Sequence, residues 1–130
     1  MDALARIQSF IGGFAGYDAA ERRRVSDEQI RAFVGEALAQ LPAVEIDNLP
    51  AEERSYYDRV LLRCEFINQD VFRMFDSDPT PQRIEATLAA DVHVVEAATA
   101  LREVRTVTLN GALVNLNDAF DSRDAAMQIE

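Results

Sequence analysis

His93 is the only imidazole in the chain and Cys64 the only thiol. One histidine leaves no room for the paired Glu-x-x-His motifs of di-iron bundles or for two-histidine zinc sites. One cysteine excludes an internal disulfide and a Cys-rich zinc site. All 13 basic residues are arginine, so there is no lysine for a Schiff base or for a Walker-type phosphate loop. Covalent chemistry therefore narrows to His93, and metal chemistry to clusters among the 23 acidic residues. Cys64 falls on the apolar stripe of its helix with no cation on that face, the setting of an inert small hydrophobe. It and His93 fall on faces that do not match, so no Cys–His pair is expected. No serine has the context of a nucleophile elbow.

Around His93 the chain reads Asp91-Val92-His93-Val94-Val95-Glu96-Ala97. In size, all-α class and sign of charge it resembles the histidine phosphotransfer domain, a four-helix bundle with an exposed phosphoacceptor histidine. That resemblance implies a relay role for His93. The family places a lysine three residues after the histidine and a small residue, usually glycine, next. Glu96 and Ala97 stand there, and a carboxylate one turn away would repel a phosphoryl group. The ordinary alternative is a histidine packed among the alanines of its helix, paired with Glu96 or Glu85. The acids resemble those of all-α nucleotide pyrophosphatases in class only. The Glu-Glu-x-x-Glu opening would start at Glu52-Glu53, but Tyr56 occupies the next acidic position. The later Glu-x-x-Asp is missing, since Glu65 and Asp70 are five apart. Asp58, Glu65 and Asp76 align on one exposed line, as do Glu85, Glu96 and Glu103, and such lines are ordinarily solvated faces. Asp76-Ser77-Asp78-Pro79 is turn chemistry, short of a calcium loop. No metal and no cofactor is expected.

A third constellation suits binding. Leu62 and Phe66, spaced i and i+4, fall opposite the core stripe of their helix, flanked by Arg59, Arg63 and Arg73. An apolar pair with arginine beside it resembles an interface core. Arg22-Arg23-Arg24 could contact phosphate, but the net charge of −10 opposes a nucleic-acid partner, and a solvated turn is the simpler reading. The expected role is a non-catalytic protein-interaction or assembly module that binds a protein partner or itself, as a homodimer. The alternatives are a relay component using His93 and a magnesium-dependent nucleotide hydrolase. A ligand-binding bundle lined by some of the seven Phe and three Tyr is a third option.

The elements that must position these residues read as helices. Leu4, Ile7, Phe10, Ile11 and Phe14 share one side of a helix over 3–16, with Gly12, Gly13 and Gly16 opposite. The glycines suggest a fraying, mobile first helix, or close approach of another helix across Gly12-x-x-x-Gly16. Asp18 with Glu21 forms a short capping pattern. Ser26 with Gln29 is a capping box opening an amphipathic helix over 27–41, with Ile30, Phe33, Val34, Ala37, Leu38 and Leu41 inward. Pro42 ends it, and 43–49 is a connection. Pro50 starts a third helix expected to run to Phe75, with Val60 and Cys64 in its stripe. Thr80 caps a fourth, with Pro81 at its first position, running to Val104. Ile84, Leu88, Val92, Val95 and Thr99 form one stripe there. Ala86, Ala89, Ala97, Ala100 and Val104 form another, so this helix is central or touches a second molecule. Leu109, Leu113, Leu116 and Phe120 continue as a helix. The alternative is a β-hairpin over 104–116 about Asn110-Gly111. Residues 122–130 are expected to fray.

The result is an all-α, single-domain antiparallel bundle of four to five helices spanning 1–130. Its 48% hydrophobic and 28% charged residues fit a chain with one core. No apolar run is long enough to cross a membrane, and Met1 to Arg6 do not open a signal peptide. No membrane partner is expected. A cytoplasmic setting follows, and arginine in place of lysine fits a GC-rich bacterial genome.

Overall fold

The computed structural model describes residues 2–65, 78–101 and 106–127. The fold is all-α. Helix α1 spans Ala3–Gln8, α2 Arg23–Ala39, α3 Ala43–Asp47, α4 Ala51–Arg63, α5 Pro81–Ala100 and α6 Thr106–Met127, with a 3₁₀ turn over Ala20–Arg22. Helix α5 is the hub and packs on α6, α2 and α1, while α4 packs on α6 and α2. Arg83, in the first turn of α5, donates to the Ala126 carbonyl near the end of α6 at 3.0 Å, so these two helices run antiparallel.

Local chemistry sets the start of α5 as expected. The Thr80 side chain accepts from the Arg83 N–H at 3.2 Å, and Pro81 occupies the first turn, where its missing N–H costs no bond. Its deepest line is Thr87, Asp91, Val94 and Ala98, between the two stripes read from the sequence. Val95 and Ala97 are also buried, but Ala86, Ala89 and Ala100 are exposed. Helix α5 is central between α1, α2 and α6, but of its second stripe only Ala97 is buried among the described residues.

Other boundaries differ from expectation. The first helix stops at Gln8 rather than 16. Gly13 and Gly16 adopt φ of 84° and 80°, which a side chain resists and glycine allows. A Cβ on Gly12 would meet nothing within 4 Å, so Gly12-x-x-x-Gly16 is a turn and not a helix contact. The loop it forms carries Phe14 and Tyr17 into the core beside Ile7. Helix α2 opens one turn early, at Arg23. Ser26 is therefore interior, and its hydroxyl donates to the Gly16 carbonyl at 2.6 Å instead of capping. The 43–49 connection contains the short helix α3. Helix α4 ends at Arg63, and the expected continuation to Phe75 lies mostly outside the described residues.

The C-terminal region corrects two expectations. Residues 106–116 are helical, so the hairpin about Asn110-Gly111 does not form. Leu109, Leu113, Leu116 and Phe120 all reach the core on helical spacing, and that burial outweighs a two-residue turn preference. Residues 122–127 do not fray: α6 continues through them, and Arg123 and Met127 are fully buried.

Candidate functional site

Among the described residues, the largest fully buried side chain is Arg123. Its Nε donates to Asp91 Oδ1, and its Nη2 lies 2.8 Å from Asp27 Oδ1. Nη2 also donates to the Tyr17 hydroxyl at 3.1 Å, which itself donates to Asp91 Oδ2. Asp27 Oδ2 accepts from Arg31 Nε at 2.9 Å. Two carboxylates thus face two guanidiniums, so the core carries no net charge there. The groups come from the N-terminal loop, α2, α5 and α6.

Burial pushes the Asp91 carboxyl above its ordinary value, opposed by Arg123 and by hydrogen bonds from Tyr17 and Arg123. Burial also pushes the Tyr17 phenol well up, with Asp91 adding to it. For Arg123, burial acts to lower the value, but Asp91, Tyr17 and Asp27 together raise it well above normal. The guanidinium is therefore charged and the phenol protonated. None of these side chains reaches solvent, so the cluster suits locking helices together rather than turning over a substrate.

The network continues to the α4 edge. Arg31 Nη1 donates to the Arg63 carbonyl. Arg63 Nη1 donates to the Asn117 carbonyl at 2.8 Å, and its Nη2 pairs with Asp121. Asn117 Nδ2 returns to the carbonyls of Tyr56 and Leu113 at 3.1 and 3.0 Å. Asp124, nearby, is raised by burial against the pull of Arg63, Arg123 and Arg31.

A groove of about 410 Å³ opens between α5 and α6. Ala97, Ala100 and Ala119 form its apolar part, and His93, Glu96, Asn115, Asp118 and Ser122 its polar lining. His93 is exposed and lines this groove together with the three alanines. Glu96 pairs with Arg6 at 3.2 Å, both half-exposed. Among the described residues Asp118 makes no ion pair.

The residues singled out in the sequence separate. Leu62 is 67% exposed, the most exposed of the large apolar side chains described. Arg59 is exposed beside it, its guanidinium 5.8 Å from the centre of the Tyr56 ring. Arg63 is half-buried and engaged by α6, so it staples the bundle instead of flanking Leu62 freely. Phe66 and Arg73 lie outside the described residues. Cys64 packs 3.9 Å from where a Gly35 side chain would begin, and burial pushes its thiol up to about 11. Among the described residues, no three His, Cys, Asp or Glu side chains are placed to hold a metal ion. Arg23, the middle of the arginine triplet, is buried and donates to the carbonyls of Tyr17 and Asp18 at 2.9 and 3.3 Å, so it anchors the glycine loop.

Tyr17, Asp27, Asp91 and Arg123 were not singled out by sequence reasoning. A signal existed: Asp27 is one turn from Ile30, Asp91 one turn from Val94 and Val95, and Arg123 lies between Phe120 and Met127. Complementary charges at core positions of three helices mark a buried ion network. No helix among the described residues is long and apolar enough to cross a membrane. Compared with family models, curated proteins and solved structures, the chain matches none.

Proposed function

We propose that this chain is a non-catalytic protein-interaction module of a bacterial cytoplasm that self-associates through the outer face of α4. One observation carries the reading: Leu62 stands 67% exposed with Arg59, three residues before it, exposed on the same face. A large apolar side chain beside an arginine has the composition of an interface centre. The arginine cluster is smaller than the sequence suggested, since Arg63 serves the bundle. The arginine-only basic set and the lone cysteine fit the proposed setting.

Sedimentation velocity across a concentration series tests this. The expected result is an assembly of at least two copies that Leu62→Glu returns to monomer while circular dichroism and melting temperature hold. A wild-type monomer at every concentration overturns the reading. So does a Leu62→Glu protein that loses its fold, because Leu62 would then belong to the core.

Phosphoryl acceptance at His93 is a second reading, favoured by the exposure of that histidine. Glu96 and Asp118 in the same groove oppose it. Transfer from a phosphorylated response regulator, lost in His93→Gln, would support it.

A further inference from the structure

We propose that the α5/α6 groove is the seat for the Arg59–Leu62 face of a second copy, so that copies join head to tail. This rests on the self-association reading and assigns the surface that receives the α4 face. Charge complementarity supports the pairing. In a chain of net charge −10, most contacts between two copies set acid against acid. Arg59 is exposed on α4 and makes no ion pair among the described residues. Asp118 is exposed on α6 and also makes none. Each is the complement of the other within one sequence.

The groove chemistry suits a guanidinium on an aliphatic stem. Its alanines, Ala97, Ala100 and Ala119, can cover methylene groups, while Glu96 and Asp118 accept from the charged end. The chain already places one guanidinium on this lining, since Arg6 Nε donates to Glu96 Oε1 at 3.2 Å.

The placement decides the kind of assembly. On α6, Asn117 and Asp121 meet α4, whereas Asn115, Asp118 and Ser122 line the groove. At about 100° per residue these sets lie on different sides of the helix. One copy therefore presents donor face and groove at once. A contact between unlike surfaces does not stop at two copies unless a ring closes.

Charge reversal at each half tests the proposal. In sedimentation velocity, wild type is expected to grow past a dimer, and less so at high salt. Asp118→Arg and Arg59→Glu should each weaken association about tenfold or more, with circular dichroism and melting temperature unchanged. Mixed one to one, the two variants bring opposite charges together again at both contacts, Arg59 against Asp118 at one and the two reversed side chains at the other, so they should associate where neither does alone. Association of Asp118→Arg at wild-type strength, with Leu62→Glu still monomeric, overturns the groove assignment and leaves self-association standing. A mixture that stays monomeric also overturns it. A monomeric wild type overturns both.

Discussion

Arg123 holds two buried carboxylates, and its removal would strand both. Replacing one partner of a buried ion pair costs about 3–5 kcal/mol. Arg123→Met is therefore expected to lower the melting temperature strongly, whereas Asp27→Leu, Asp91→Leu and Arg123→Met combined should destabilise less than Arg123→Met alone. Denaturant unfolding of the two proteins checks this non-additivity. Asp91 also has a pH signature. Burial raises its carboxyl in the native state despite Arg123 and the Tyr17 hydrogen bond. A carboxyl raised by folding takes up its proton more readily folded than unfolded. Its contribution is complete below the unfolded value near 3.8 and is lost as pH rises through the folded value. The stability difference between wild type and Asp91→Asn should move against wild type as pH increases through that window, measured by urea unfolding at stepped pH. Cys64, with its thiol pushed up to about 11, should react with iodoacetamide much more slowly in the native chain than in urea at neutral pH. Its partial burial was legible from its place in an apolar stripe, whereas the pull of Arg31 on the thiol was not. The Asp27–Asp91–Arg123 cluster was not, because each member looks like an ordinary solvated charge until three helices are brought together.

At the scale of elements, the strongest sequence signals were those whose chemistry is local. Thr80 and Pro81 fix the start of α5 by a side-chain cap and a ring that needs no donor. Elements that depend on distant partners were misread. Helix α6 keeps its course through Asn110-Gly111 because Leu109 and Leu113 are buried in the assembled core, and it continues past Ser122 because Arg123 has buried partners. The glycine loop was misread as a weak helix, since composition alone does not distinguish an exposed helical glycine from one at positive φ. Gly16→Ala should therefore be worse than Gly13→Ala. Both sit at positive φ, which costs about 1–2 kcal/mol for a side chain, but only at Gly16 would a Cβ press on Leu4, 3.3 Å from its Cδ1. Thermal unfolding of the two variants orders them. Deleting residues 123–130 is expected to abolish cooperative unfolding, where a frayed tail could be removed without effect.

Across the whole molecule, charge is divided between interior and surface. The interior cluster balances its own, so the net charge of −10 falls on the remaining residues, and Arg59 beside Leu62 makes one break in it. Leu62→Glu extends the acid surface over that break, and light scattering should then show monomers at every concentration. The interior balance has a consequence for synthesis. Asp27 and Asp91 leave the ribosome before Arg123, which follows Asp91 by 32 positions. Until it emerges, closing α2 on α5 would bury two anions without the cation shared between them, a costly state. The nascent chain should thus stay open and protease-sensitive until Arg123 emerges, then close in one step. Ribosome-arrested chains of increasing length would show protection rising abruptly once Arg123 clears the exit tunnel.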